Sequence, residues 1–363
     1  MTLMHQHGGD LDAIERKYGI TKDNIIDFSG NINPLGFPQS VTDVLRENLQ
    51  IISTYPDKHY TALRKAISVY TGACSENIVV GNGSTELISA FIKTIQPKVS
   101  VIIGPAYSEY EREVTLCGGV FSYFPLREEE NFEIHLPRLL ASLGADVDML
   151  VACNPNNPTG SVITAAQLRE ILTHCKQKNI AVMIDETYAE FSDNLSEICA
   201  IPLTQDFDNL FVIRGTSKFF AAPGIRLGYG VSSNEAFKSR LRTNQDPWSV
   251  NSLAAFAGEY LFSDTAFHHE TQSLISEERR SAFSALSTWK NIRAYPSSAN
   301  FILLRLLTER ITAASLFEAF IQKNMLIRDA SSFAFLDQSY LRFCILSPEN
   351  NANFLQELKR LVE

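Results

Sequence analysis

Val212-Ile213-Arg214-Gly215-Thr216-Ser217-Lys218-Phe219-Phe220-Ala221-Ala222-Pro223-Gly224-Ile225-Arg226-Leu227-Gly228-Tyr229-Gly230 reads as an apolar strand that ends in a hydroxyl-rich turn carrying one lysine. A Pro-Gly break follows, and then an arginine enters a second apolar strand. A lysine amine forms an imine with an aldehyde, and hydroxyls with an arginine hold a phosphate. A molecule bearing both groups would satisfy the whole turn. A lysine after Thr-Ser is also an ordinary solvated turn residue, so the remainder of the chain decides between the two.

The chain has 363 residues, 45% hydrophobic and 20% charged. That is the composition of a soluble globular protein long enough for two packed lobes. The formal net charge of -9 argues against nucleic acid or an anionic membrane as the main partner. It leaves room for an anionic substrate, because a few arginines can dominate inside a cleft. Cys74, Cys117, Cys153, Cys175, Cys199 and Cys344 are scattered without a Cys-x-x-Cys pair. Free thiols in a reducing compartment are expected, rather than disulfides or zinc. The segment Met1–Asp10 has no basic region followed by an apolar stretch, so no signal peptide is expected. No apolar run approaches the roughly 20 residues that span a bilayer. A cytoplasmic protein follows, with neither membrane nor nucleic-acid partner. His5 and His7 lack a third ligand at sensible spacing, so no metal is expected.

The middle of the chain alternates short apolar runs with longer amphipathic ones. Ile78-Val79-Val80 precedes Gly81-Asn82-Gly83, and Ser84 reads as the cap of a helix through Ile95. Val99–Ile103 leads into Gly104-Pro105, Met149–Cys153 into Asn154-Pro155, Ile180–Ile184 into Asp185-Glu186, and Leu210–Ile213 into the lysine turn. Such alternation predicts an α/β fold, a mainly parallel sheet sandwiched by helices, with its ligand site where the strands end. After about Pro247 the pattern changes to long helical stretches, Leu253–Leu261 and Thr271–Lys290, followed by Phe301–Leu304, Leu326-Ile327 and Tyr340–Leu346. The expected division is an N-terminal segment 1–45 that contributes to the small lobe and substrate site, a large lobe 46–246, and a small α+β lobe 247–363.

Several segments converge on one chemistry. Gly81-Asn82-Gly83-Ser84-Thr85 at a strand-to-helix junction offers amides and hydroxyls to a phosphate. Asn154-Pro155-Asn156-Asn157-Pro158-Thr159-Gly160 is a rigid polar loop that could present an asparagine amide to a phenolate oxygen. Asp185 closes an apolar strand, and Tyr188 follows in the next turn. A carboxylate beside a pyridine nitrogen keeps it protonated and makes the ring an electron sink. Lys218 is the Schiff-base candidate, with Ser217 and Arg226 for the phosphate. Pyridoxal phosphate (PLP) carries every group that these residues address. Each segment alone is an ordinary turn; the combination is specific.

Asn157, Asp185, Tyr188, Lys218 and Arg226 occur in the order and approximate spacing of fold-type I PLP enzymes, so the chain resembles the aspartate aminotransferase superfamily along nearly its whole length. The resemblance implies a seven-stranded-type sheet and the fold-type I transferase fold. It also implies that Tyr107 stacks on the pyridine ring, and that Tyr55 reaches the phosphate of a neighbouring subunit's cofactor in a homodimer with shared active sites. Arg342 in Tyr340-Leu341-Arg342-Phe343 matches the superfamily's substrate-anion arginine. One departure is Gly215, where relatives commonly carry a hydroxyl residue; Ser84 or Thr216 would have to supply it.

Within that superfamily the chain is similar to the branch holding histidinol-phosphate aminotransferases and L-threonine-O-3-phosphate decarboxylases. His7-Gly8-Gly9, Asp27–Gly36 and Pro247-Trp248-Ser249-Val250-Asn251 resemble the decarboxylases more closely. By that resemblance His7, Asn31 (or nearby Asn33), Arg328 and Arg342 gather round the two anionic groups of a small O-phosphorylated amino acid. L-Threonine O-3-phosphate would give 1-amino-2-propanol O-phosphate, a cobalamin side-arm precursor, and L-serine O-phosphate would give ethanolamine phosphate. The two substrates differ by one methyl, worth about 1–3 kcal/mol in an apolar pocket. Histidinol-phosphate transamination is the alternative. A ligand-sensing domain of a transcription factor is a third reading, and it would need a DNA-binding segment that these residues do not suggest.

Overall fold

The computed structural model describes residues 9–363. Its strands are, in chain order, β1 (Ile26–Asp27), β2 (Ile78–Gly81), β3 (Val99–Gly104), β4 (Val120–Pro125), β5 (Met149–Cys153), β6 (Ala181–Asp185), β7 (Leu210–Gly215), β8 (Gly228–Val231), β9 (Ile292–Ala294), β10 (Phe301–Leu306), β11 (Met325–Leu326), β12 (Arg328–Asp329) and β13 (Tyr340–Cys344). Seven of them form one sheet in the order β2-β8-β7-β6-β5-β3-β4. The pairs from β7 to β4 are parallel, and β8 runs antiparallel to both of its neighbours. β5 and β7 are buried along their full length, as strands covered on both faces must be.

Helices close both faces. The helix Ser84–Ile95 buries Leu87, Ile88, Phe91 and Ile92, the spacing of a single apolar stripe. Its Phe91 stacks on Phe211 of β7, with centroids 5.1 Å apart. The helix Ala165–Gln177 turns Leu168, Ile171, Leu172 and Cys175 inward. A smaller antiparallel sheet, β12-β13-β10-β9, packs against the helix Pro348–Val362. Phe354 of that helix sits on Phe343 at 4.4 Å and on Phe28 at 4.8 Å. β1 pairs in parallel with β11, so the N-terminal segment is tied to the smaller lobe before it crosses to the large one. No helix among the described residues is long and apolar enough to cross a membrane.

Two local expectations change. Gly83, at φ 82, is the N-cap of the first buried helix and Ser84 its first residue. Only glycine adopts that backbone conformation without strain, and the shift turns the Ser84 side chain toward the site. The helix expected over Thr271–Lys290 runs Thr265–Leu286, because Asp264 caps it by accepting from Phe267 N at 3.0 Å.

The parallel strands end together, and that edge builds the site. Cys153 lies opposite Asp185, and Asp185 opposite Ile213. On the other side Gly81, Gly228 and Gly215 stand in one row across three strands. A Cβ on Gly228 would lie 2.6 Å from the Gly83 carbonyl carbon and from Ser84 N, which are backbone atoms with no freedom to yield. Gly228→Ala is therefore expected to cost about 1–3 kcal/mol of stability and to loosen the Gly83–Ser84 turn. A lowered Tm together with weaker cofactor retention checks it; a wild-type value for both would refute the close approach.

Candidate active site

A cavity of about 720 Å³ opens where the carboxyl ends of the parallel strands face the smaller sheet. Lys218, Arg226, Arg328 and Arg342 line it, against the carboxylates of Asp185 and Glu111. The excess of positive charge in so small a space calls for an anionic occupant.

Lys218 follows β7 and donates from Nζ to Gly30 O at 2.6 Å. Withdrawal from bulk water lowers its pKa to about 8, and Arg342 adds to the shift; Asp27 and Cys344 oppose it. A substantial fraction of the amine is then neutral near physiological pH, the form that attacks a carbonyl.

Asp185 is buried at the end of β6. Its Oδ2 accepts from Tyr110 OH at 2.7 Å, and its Oδ1 accepts from Thr187 N at 2.9 Å and Thr187 Oγ1 at 2.6 Å. Burial raises its pKa, while these donors pull it back. A cationic ring nitrogen placed here would favour the carboxylate further. Tyr188 OH accepts from Asn31 Nδ2 at 3.3 Å, and its ring meets Phe301 edge-on at 5.0 Å. Tyr107 also lines the cavity, its ring perpendicular to that of Tyr110.

Arg328 and Arg342 are directly paired across β12 and β13, so their side chains leave the sheet on one face. Arg342 donates from Nη1 to Asn157 Oδ1 and from Nη2 to Ser29 O at 2.8 Å. The first bond orients the Asn157 amide so that its Nδ2 donor points away from the arginine. Arg328 donates to Ser332 Oγ at 2.9 Å and lies over the Phe333 ring at 5.4 Å. Burial lowers its pKa to about 10, and Arg342 contributes, which leaves it a cation at neutral pH.

The hydroxyl and amide candidates differ in where their side chains lie. Thr216 is fully buried with Oγ1 donating to Leu227 O at 3.1 Å, so it faces away from the cavity. Ser84, Thr85 and Ser217 line it. A Cβ on Gly215 would meet Ser84 Oγ at 3.4 Å, so the Ser84 hydroxyl stands beside the place where a Gly215 side chain would project. Asn33 spends its amide on Phe219 O at 2.7 Å and Thr271 Oγ1 at 2.8 Å, a packing role. Asn31 is the asparagine that reaches the cavity.

Two sequence candidates are not gathered here, and several residues join unannounced. Tyr55 is 78% exposed and stacks at 4.6 Å on Trp248, away from this cavity. His7 lies outside the described residues. Tyr110, Thr187, Ser29 and Gly30 were not singled out from the sequence. Tyr110 carries a usable signal, since it falls one helical turn beyond Tyr107; the Gly30 carbonyl carries none.

The donor set suits PLP. A Cβ on Gly83 would sit 2.6 Å from Arg226 Nη2, so the bare α-carbon is what lets the guanidinium close over the start of the helix at Ser84. That leaves hydroxyls, helix amides and a fork of N–H donors around one small volume, the requirements of a phosphate. Asn31 Oδ1 and Arg342 Nε are buried without a hydrogen-bond partner among the described residues. Such orphans are uncommon in a finished interior, and these two belong to residues that line the cavity.

Fold and site together define a fold-type I PLP-dependent enzyme. The model of the family "Aminotransferase class I and II" matches residues 23–358, and the chain belongs to that family, with PLP as its cofactor. It is 36% identical to the threonine-phosphate decarboxylase of Salmonella typhimurium over 98% of this chain and 96% of that protein. Among solved structures, the histidinol-phosphate aminotransferase of Clostridium acetobutylicum superposes with a TM-score of 0.86 at 32% identity, covering 92% of this chain and 98% of that one. The L-threonine-O-3-phosphate decarboxylase of Porphyromonas gingivalis gives 0.81 at 26% identity, over 92% and 98%. The chain is thus related to both branches.

Lys218→Ala is expected to abolish the PLP adduct trapped by borohydride, and an adduct retained at another lysine would refute the assignment. The rate at which apoprotein takes up PLP should rise with pH and level off above about 8, because the protonated amine below that value is inert. An inflection near the ordinary lysine value of about 10 would show that the cavity does not tune this amine.

Proposed function

We propose that this enzyme decarboxylates a small O-phosphorylated amino acid, L-threonine O-3-phosphate or L-serine O-phosphate. The observation behind the substrate class is the pair Arg328 and Arg342, side by side across two strands and facing the cavity that holds Lys218. Two adjacent cations suit a substrate with two anionic groups, a carboxylate and a phosphate. 2-Oxoglutarate, the second substrate of the alternative transamination, carries two anionic groups as well, so the pair sets the substrate class and the decarboxylation reading rests on likeness to known decarboxylases. The 36% identity to the Salmonella decarboxylase supports the same reading.

PLP supplies an electron sink that weakens whichever bond to the substrate α-carbon stands perpendicular to its ring. The residues of this chain decide which bond that is. Ser84, Thr85, Ser217 and Arg226 would hold the cofactor phosphate, Asp185 the ring nitrogen, and Asn157 with Tyr188 the phenolic oxygen. Arg342, fixed by Asn157 and Ser29 O, grips one substrate anion, and Arg328 the other. Together they orient the carboxylate out of the ring plane. Lys218 Nζ would hold the cofactor aldehyde, and once freed either it or a water would supply a proton to the α-carbon. In this reading Tyr55, exposed on the Trp248 ring, completes the cofactor cradle of a second copy of the chain.

The purified enzyme incubated separately with phosphothreonine, phosphoserine, and histidinol phosphate plus 2-oxoglutarate tests the proposal. Carbon dioxide release without glutamate is the expected result. Glutamate formed only with histidinol phosphate would replace it with transamination. Arg342→Lys, which keeps the charge and loses the fork, should reduce kcat/KM by about 10²-fold or more.

A further inference from the structure

The cavity has a wall that neither the cofactor nor the reacting carbon accounts for. Tyr123 of β4 and Glu111 line it from the large lobe, and Ser332, Phe333 and Ala334 from the smaller one. Tyr123 is firmly placed. Its hydroxyl donates to Glu111 Oε2 at 2.6 Å. Its ring occupies the space beside Gly104, where a Cβ would fall 2.5 Å from Cδ1. Phe121 meets the same ring edge-on at 5.5 Å.

Beside the cavity, Tyr123 is also met by Phe335, the residue after Ala334 of the lining, with centroids 5.6 Å apart and planes at 80°. Phe335 is 56% exposed and has φ 68. A bulky residue in the left-handed region is strained, and such strain persists only where surrounding contacts over-determine it. The contacts that do so are short and local. Ala330 N donates to Tyr340 O at 3.0 Å, Phe333 N to Ala330 O at 3.1 Å and Leu336 N to Phe333 O at 3.1 Å, winding the segment tightly between β12 and β13. The same segment supplies both neighbours of the Arg328 guanidinium, Ser332 Oγ and the Phe333 ring.

We propose that Tyr123 and Phe335 are positioning residues for Arg328: their ring contact beside the cavity pins the segment Ala330–Leu336, which holds the guanidinium where it meets the anionic end of the substrate. The inference rests on the reading that Arg328 takes a substrate anion, and it holds for any phosphorylated ligand whichever reaction follows. Nothing in it requires either aromatic ring to touch the reacting carbon. The pinned segment belongs to the smaller lobe and the anchor to the large one, so the contact joins the two sides of the substrate's anion site.

The test uses the full-length holoenzyme with phosphothreonine, phosphoserine and histidinol phosphate as separate ligands. Hydrogen exchange of residues 330–336 is followed with and without each ligand, and KM and kcat are measured for whichever one turns over. In the wild type the ligand should slow exchange across the segment. Phe335→Ala and Phe335→Gly should both lose that protection and raise KM about fivefold to tenfold, the loss expected for one aromatic pair. Cofactor absorbance and kcat should stay within about twofold. Phe335→Tyr, which keeps the ring, should restore the wild-type values, and Tyr123→Phe, which keeps the ring and loses the Glu111 bond, should fall between. Phe335→Gly relieves the backbone strain, so a wild-type or improved KM in that variant would overturn the proposal by showing that the ring does nothing. Equal loss of kcat and cofactor absorbance would overturn it in favour of a general structural role. Protection absent in the wild type for all three ligands, with turnover intact, would instead remove the premise that Arg328 binds the anion.

Discussion

Positive charge gathered round one cavity is the constraint around which this molecule is arranged. Lys218, Arg226, Arg328 and Arg342 converge on one cavity, where Asp185 and Glu111 are the carboxylates lining it among the described residues, with Asp27 acting on Lys218 and Arg342. Mutual repulsion of that kind costs stability unless neighbours hold each group and a ligand neutralises it. The neighbours are visible: Gly30 O for the lysine, Ser29 O and Asn157 for Arg342, Ser332 for Arg328, Pro223 O for Arg226. These partners come from widely separated parts of the chain. The fold that unites them is therefore held to its geometry by the ligands it is meant to bind, and the family's anionic cofactor meets part of that demand.

A second buried charge cluster lies behind the site and serves the scaffold. Arg214 of β7 donates from Nε and Nη2 to Glu186 Oε2 at 2.9 and 2.7 Å, while Glu190 approaches it at 3.6 Å. Burial pushes the Glu190 carboxyl up to about 7, despite the arginine. The cluster fixes the turn between Asp185 and Tyr188 from behind. The alignment of those two side chains with Lys218 thus depends on a strand residue that faces away from the cavity.

Much of this was readable from the chain alone. The apolar runs ending in polar turns announced a parallel sheet, and the order of Asn157, Asp185, Tyr188, Lys218 and Arg226 announced the cofactor chemistry. What was hidden has a common cause. Backbone groups have no residue identity, so the Gly30 carbonyl that receives the lysine left no mark in the sequence. Side chains that act through distant pairing were equally silent: only the register of β12 with β13 puts Arg328 beside Arg342. Asn31 and Asn33 could not be separated by spacing, because the difference between them lies in partners more than 150 positions away, Tyr188 for one and Phe219 for the other. Gly215 looked like a missing hydroxyl until its row with Gly81 and Gly228 placed Ser84 next to it.

The short N-terminal segment has a geometric consequence. Asp27 is paired to Leu326 of the smaller lobe, Ser29 O holds Arg342, Gly30 O holds Lys218 Nζ, and Asn33 N reaches back to Lys218 O. Within a few residues one bent segment therefore holds both Arg342 and Lys218, one on each lobe. The acceptors of the arginine and of the lysine are the carbonyls of consecutive residues, so one stretch of backbone sets the two cations relative to each other.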